Sequence, residues 1–307
     1  MKKSLLMMGL CLAVLTGCDP VPEVPVGVLK IRLAFDADQA RLDNLGQPSE
    51  IPDGHAAQTP EFNAMSIHYI ELVPDAWTQL GEGSVVYRGE ETEEGGEAAI
   101  KFDAAIVEDD GGYLLELPMS EVAAGTYAYA RASVSYQNYT VNFDLDLTEL
   151  GYPGIEEFPD QRGTIASFVG FNTYIGNLTV DQESIAVDAN KRQGFWAFEM
   201  ELDEPLSTYY QEPPLTGEAP AGATTVVNPI SSQSPVPAGS CVVTGAFDAP
   251  LTITEARDEE VELTFSFSIN NSFEWEDPNG NGKWDFTVQG AEPVVDMGLR
   301  GLQVSAR

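Results

Sequence analysis

The sequence predicts a mainly β protein, built as an antiparallel β-sandwich or a barrel-like fold with few or no helices. Three observations support this fold class. Short runs rich in Val, Ile, Thr and aromatic residues alternate between apolar and polar positions, as half-buried strands do. Gly, Pro, Asn and Asp interrupt these runs at turn-like intervals. Helical periodicity is scarce between the runs, which is typical of antiparallel sheets packed face to face.

The first predicted strand shows the alternation most clearly, in the segment LKIRLAF at 29–35. Four apolar residues fall on one face of an extended chain, namely Leu29, Ile31, Leu33 and Phe35, whereas Lys30 and Arg32 fall on the other face. The same reasoning predicts further strands, in chain order, at 66–73, 84–88, 113–118, 126–147, 164–178, 194–202, 240–247, 251–256 and 261–273.

Proline divides these strands into two β regions. Seven of the twenty prolines lie within 205–240, together with Gly and Ser, so this segment is predicted to be a loop or linker. It separates a β domain at 28–204 from a C-terminal β segment at 241–307. The second piece has about 67 residues and no disulfide, which is near the lower limit for independent folding. We therefore expect it to pack on the first domain.

The N-terminus has the layout of a secretory signal. Lys2 and Lys3 give a basic start, residues 5–15 are apolar, and small residues precede Cys18. The apolar run is about half as long as the roughly 20 residues that a membrane-spanning helix needs. Residues 1–17 are therefore predicted to be a signal peptide that is removed.

The segment LTGC at 15–18 resembles the lipobox of bacterial lipoproteins. This resemblance implies that the Cys18 thiol is acylated and that membrane lipid anchors an exported ectodomain to the cell envelope. Two or more acyl chains give stable anchoring. Asp19 resembles an inner-membrane retention signal of some enteric bacteria, a rule that differs between bacterial groups, so the choice of membrane stays open. Prolines at 20, 22 and 25 predict that 18–27 is an extended tether.

Composition narrows the classes of partner. The formal net charge is −34, with 15 Lys and Arg against 49 Asp and Glu, and the loss of Lys2 and Lys3 would make it two units more negative. Nucleic-acid binding needs clustered cations for phosphate contacts, so it is excluded as a partner class. Cys241 is the one cysteine expected in the structured part, so an internal disulfide is not expected. No feature assigns a protein or glycan partner.

A calcium site is predicted in the segment DPNGNGKWD at 277–285. Asp277, Asn279 and Asn281 are spaced two apart and are followed by Gly282, which resembles the front half of an EF-hand calcium loop. Hard Ca²⁺ takes oxygen ligands, which alternate side chains supply as such a loop curls. Two further ligands complete the prediction: the carbonyl of Lys283 and the carboxylate of Asp285.

The segment departs from the EF-hand pattern at its twelfth position, where Val288 replaces a bidentate glutamate. We expect the missing ligand to come from Glu274, Glu276 or Glu292. The alternative interpretation is a hairpin turn without metal, in which Pro and Gly supply turn geometry and Trp275 faces Trp284.

Two rival functions stay open. A copper or zinc site could use His55 and His68, the two histidines of the chain. The segment FNAMSIHYIELV at 62–73 also resembles the early strands of periplasmic MbnP-like copper-associated proteins, although the resemblance assigns no ligands. The alternative is two unrelated histidines. An envelope hydrolase could use paired carboxylates. Neither G-x-S-x-G nor H-E-x-x-H occurs, so no catalytic residue is assigned.

Aromatic residues in the strands have two interpretations, a stacking platform for sugars or peptides and ordinary core packing. They are Tyr127, Tyr129, Tyr136, Tyr139, Phe195, Trp196 and Phe198. Taken together, the sequence predicts a lipid-anchored envelope protein with a non-enzymatic binding or structural role, stabilised by calcium.

Overall fold

A computed structural model describes residues 27–307, apart from 44–45, 152–153, 155, 203, 205, 210–212, 220–240, 257, 298 and 300. The predicted signal peptide at 1–17, Cys18 and the tether up to residue 26 lie outside the described residues, as does most of the predicted linker at 205–240. Across the described part of the chain, helices with the length and apolar character to span a membrane are absent.

The prediction of a mainly β fold with few helices is confirmed. The strands are β1 Val28–Asp36, β2 His55–Gln58, β3 Glu61–Val73, β4 Ser84–Arg88, β5 Glu91–Thr92, β6 Ala99–Lys101, β7 Val107–Glu108, β8 Tyr113–Pro118, β9 Gly125–Asp146, β10 Glu157–Phe168, β11 Asn172–Thr179, β12 Ser184–Arg192, β13 Phe195–Glu201, β14 Leu215–Glu218, β15 Cys241–Ile253, β16 Glu260–Ser268, β17 Phe273–Glu276, β18 Asp285–Thr287, β19 Gly290–Ala291, β20 Val294–Asp296 and β21 Leu302–Ala306. Helical structure is limited to α1, Leu206–Tyr209, and 3₁₀ turns at Phe102–Ala104, Met119–Glu121 and Thr148–Leu150.

These strands form three mostly antiparallel sheets within the described residues, and none closes on itself. The largest has the order β14-β13-β10-β9-β15-β21-β16-β1-β8, with β3 and β18 also paired to β9. Two smaller sheets have the orders β12-β11-β6-β5 and β2-β17-β20. The predicted run at 164–178 is two strands, because the chain turns between β10 and β11, and the runs at 240–247 and 251–256 are one bulged strand, β15.

The spine of the large sheet is β9, which is 22 residues long. One edge pairs with β15 through its first half and with β10 through its second half. The opposite edge pairs with β3 and then, in parallel, with β18, where Asp285 lies opposite Asp144. Strands from residues 241–307 therefore continue the sheet formed by the N-terminal strands, and β16 pairs in parallel with β1 along its whole length.

Among the apolar clusters that pack along the spine, two are the largest. The larger one contains the inward face of β1, where Leu29, Ile31 and Leu33 are fully buried as predicted. The second is aromatic and lies under the 277–285 segment, with Phe143, Phe198, Phe273, Trp275, Trp284 and Phe286 among its members. This aromatic cluster positions the candidate site.

Candidate functional site

The 277–285 loop connects β17 to β18 and is anchored at both ends by buried tryptophans. Trp275 precedes the loop, and its indole N–H donates to the Lys283 carbonyl at 2.9 Å. Trp284 closes the loop, and its indole N–H donates to the Glu292 carbonyl at 3.0 Å. Both rings contact Phe273 in the aromatic cluster. The apolar anchors thus fix the ends of a polar loop.

Asp277 organises the loop from its first position. Its carboxylate accepts backbone N–H bonds from Gly280, Asn281 and Gly282, at 2.9, 3.2 and 2.9 Å. Gly280 and Gly282 have φ angles of 71° and 72°, the left-handed region that glycine adopts without a steric penalty. The two glycines therefore permit the tight curl that the sequence predicted.

The polar side chains of the loop converge on Asp285. The amide nitrogens of Asn279 and Asn281 donate to the same Asp285 oxygen, at 2.6 and 2.8 Å. Their amide oxygens accept the backbone N–H groups of Asn281 and Lys283, at 2.9 and 2.7 Å. If the two amides rotated by half a turn, oxygen would replace nitrogen beside Asp285. A cation binding there would require that exchange.

Glu292 is the glutamate that the fold brings to this loop. Its carboxylate accepts the backbone N–H of Asp285 at 3.1 Å. Burial raises the pKa of Glu292 above its usual value, the Asp285 N–H opposes this shift, and the negative charges of Asp285 and Asp277 add to it. A carboxylate in this position gains from a nearby cation.

The other two glutamates predicted as the missing ligand lie elsewhere. Glu274 is buried and pairs with Arg41 and with His55 Nδ1, the latter at 2.7 Å. Glu276 is exposed and its backbone pairs with His55. Val288, at the twelfth position, is 41% exposed on the surface hairpin that follows β18, where its side chain offers no ligand atom.

The loop borders an open acidic cleft of about 670 Å³. Asp144, Asp146 and Glu157 line it together with Asp285 and Glu292. The Lys283 ammonium donates to Asp160 at 2.5 Å.

Clusters of three or more His, Cys, Asp or Glu with metal-binding geometry are not found among the described residues. A cation at this loop would therefore depend on the two asparagine oxygens as well as the carboxylates.

The structure does not bring the two histidines together. His55 lies in β2 of a small sheet and contacts Glu274. His68 lies in β3 of the large sheet, with Nε2 3.2 Å from Glu91. Burial lowers the pKa of His68, and the Glu91 charge opposes that shift. Each imidazole has its own carboxylate partner, which is the arrangement of two unrelated histidines.

Most of the aromatic residues considered as a stacking platform belong to the core. Tyr127, Tyr136, Tyr139, Phe195 and Phe198 are buried, whereas Tyr129 and Trp196 are half-buried. Sequence reasoning missed two further features of the structure, which are the buried ion pair of Glu71 with Arg131 and the exposed indole of Trp77. The position of Arg131 within an apolar strand run was the available sequence signal for the ion pair.

Comparison of the chain with protein-family models, with curated proteins and with solved structures found no match.

Proposed function

We propose that this chain is a non-enzymatic protein of the cell envelope, held at a membrane by lipid on Cys18, whose β structure is stabilised by Ca²⁺ at the 277–285 loop. The observation that carries the calcium proposal is the convergence of Asn279 and Asn281 on Asp285, with Glu292 beside them. The lipid anchor is proposed from the N-terminal sequence alone.

The oxygen ligands of this loop and the negative charge of the chain favour calcium over a transition metal. The groups that would bind it are the carboxylates of Asp277, Asp285 and Glu292, the amide oxygens of Asn279 and Asn281, and the Lys283 carbonyl. Carboxylates and carbonyls suit hard cations, whereas copper and zinc prefer imidazole or thiolate. A net charge of −34 also attracts divalent cations to the surface.

A structural role follows from where the loop sits. Its two ends lie in the aromatic cluster, and β18 extends from it along the edge of β9. A bound cation would tie the β17–β18 connection to Glu292, which lies between β19 and β20. A ligand that binds only the folded state stabilises it by about 2.7 kcal/mol when its concentration is 100 times Kd.

The effect of the Glu292→Gln substitution on stability is expected to have opposite signs in the absence and in the presence of calcium. Without calcium, the raised pKa of Glu292 means that the folded chain binds more protons than the unfolded chain at pH values near the two pKa values of this carboxyl. Stability therefore falls as the pH rises from the unfolded-state pKa of Glu292 through its folded-state pKa. At neutral pH the ionised carboxylate then costs stability, and glutamine removes that cost. We expect the variant to melt higher than the parent in chelator and lower in excess Ca²⁺.

Melting curves at pH 7 in EDTA and in millimolar CaCl₂ would measure this reversal, with the exposed Glu50→Gln as a matched control. The control should follow the parent protein in both conditions. Equal melting temperatures of the parent in EDTA and Ca²⁺ would contradict the calcium proposal, and so would a Glu292→Gln effect with the same sign in both.

The anchor at Cys18 has a separate test. Expressed in a Gram-negative host, the parent protein and Cys241→Ser should partition with membranes and carry the mass of an acylated N-terminus, whereas Cys18→Ser should carry no lipid. Intact mass spectrometry of the membrane fraction distinguishes these products. An unmodified cysteine in the parent protein would refute the anchor without affecting the calcium site.

Hydrolysis catalysed by a pair of carboxylate side chains is the second candidate function, and one observation supports it. Glu292, with its raised pKa, lies beside Asp285 in an open cleft, and glycosidases pair an acid of raised pKa with an ionised carboxylate. Turnover of chromogenic glycosides that is lost in both Glu292→Gln and Asp285→Asn would favour this candidate over a structural calcium site.

A further inference from the structure

We propose that a second cleft, beneath Trp77, binds the ring of a neutral saccharide. The cleft has a volume of about 580 Å³ and lies on the β9–β15 side of the molecule, bordered by the Trp77 loop, which we define as residues 74–83. This size falls within the range of small-molecule sites in proteins. The inference is independent of the calcium loop.

Trp77 distinguishes this surface from the rest of the described chain. Its side chain is 69% exposed, the largest value among the exposed large hydrophobic residues of the described chain. Leaving a large apolar ring in water forgoes the favourable free energy of burying it. A ligand that covers the indole would recover that free energy.

Two buried charged side chains hold the Trp77 loop in place through hydrogen bonds to its backbone. One Glu71 oxygen accepts the backbone N–H groups of Gly81 and Gly83, at 2.9 and 2.6 Å. The Arg131 guanidinium donates to the carbonyl of Ala76, the residue before the tryptophan, at 2.7 Å. Both charged side chains are fully buried. The loop is therefore held in place before any ligand arrives, which lowers the entropic cost of binding.

The lining of the cleft combines aromatic rings with polar side chains that can form hydrogen bonds. The aromatic rings are those of Trp77 and Tyr129, and the polar side chains are those of Gln47, Thr244, Asp248 and Gln303. The pairing of β15 with β9 shifts register between Ala246 and Leu251, and this bulge carries Asp248 to the cleft. Bulges often re-aim side chains next to binding sites.

This combination fits a neutral saccharide better than other small ligands. An anion is disfavoured because the described lining contains neither Lys nor Arg and the whole chain is acidic. A purely apolar ligand would leave the amides and Asp248 without partners. A pyranose ring offers a C–H face to the indole and hydroxyl groups to the amides, Thr244 and Asp248.

Titration of the purified protein with cellohexaose, xylohexaose, mannohexaose and chitohexaose tests the inference by calorimetry. We expect at least one of them to bind with Kd below about 1 mM. Trp77→Ala should weaken that binding roughly tenfold or more, and Trp77→Phe should retain most of it. Because Trp77 is exposed, neither variant should change the melting temperature.

Tyr113→Ala serves as the control, since it removes an exposed aromatic ring on β8, outside the cleft. Its saccharide affinity should equal that of the parent protein. Failure of all four oligosaccharides to bind would overturn the inference, and so would equal loss in Trp77→Ala and Tyr113→Ala. Binding of tetramethylammonium at the cleft instead would identify a cation site and also overturn it.

Discussion

Arg131→Ala is expected to lower the free energy of unfolding by about 3–5 kcal/mol, because it leaves a buried carboxylate without its cation. Arg131 and Glu71 are both fully buried, with a closest N–O distance of 3.7 Å. Burial raises the pKa of Glu71, while Gly83, Arg131 and Gly81 act against that shift. The variant removes the cation and also the donor to Ala76.

Urea denaturation of Arg131→Ala and Arg192→Ala would measure this effect against a matched control. Arg192 forms a surface ion pair with Glu97 at 2.8 Å, with both side chains well exposed. Pairs of this kind contribute about 0–1 kcal/mol. Losses of similar size in the two variants would contradict the expected cost of leaving the buried Glu71 carboxylate without its cation.

Trp284→Ala is expected to cost about 3–5 kcal/mol, the usual range for removing a large aromatic side chain from a core. Its ring lies 4.7 Å from the rings of both Phe273 and Phe286 and 5.3 Å from that of Phe198. Its indole N–H also holds the backbone of Glu292. The variant should therefore weaken calcium binding as well as the fold.

The same substitution at the surface provides the control, because Trp77 is exposed. Trp77→Ala should change stability by no more than about 0.5 kcal/mol, as surface substitutions generally do. Trp284→Phe keeps an aromatic ring but removes the N–H donor to Glu292, so it should lower calcium affinity with a smaller loss of stability. Retention of full calcium affinity in Trp284→Phe would indicate that the indole does not position Glu292.

The strand pattern of the sequence predicted the fold class well, because half-buried strands such as β1 alternate in a way that side-chain periodicity reveals. The pattern did not predict which strands pair. The parallel pairing of β1 with β16 joins residues more than 200 positions apart, and nothing local specifies it. The pattern also could not distinguish strands that are buried on one face from strands that are buried on both faces. Most of β9 is buried on both faces, so its tyrosines are largely core residues instead of a platform.

The candidate site was partly predictable for a similar reason. The spacing of Asp277, Asn279 and Asn281 is local, and so is the need for glycine at Gly282. The choice among Glu274, Glu276 and Glu292 was not local. It depends on the β18–β19 hairpin and on the bond from Trp284 that returns Glu292 to the loop, whereas Glu274 is occupied by Arg41 and His55.

Calcium titration of the metal-free protein by isothermal calorimetry tests the central claim most directly. The proposal predicts one Ca²⁺ bound per chain, with binding lost in Asp277→Asn and retained in Asp109→Asn, an exposed carboxylate in the turn before β8. No heat of binding in the parent protein, or binding that survives Asp277→Asn unchanged, would contradict a calcium site at the 277–285 loop.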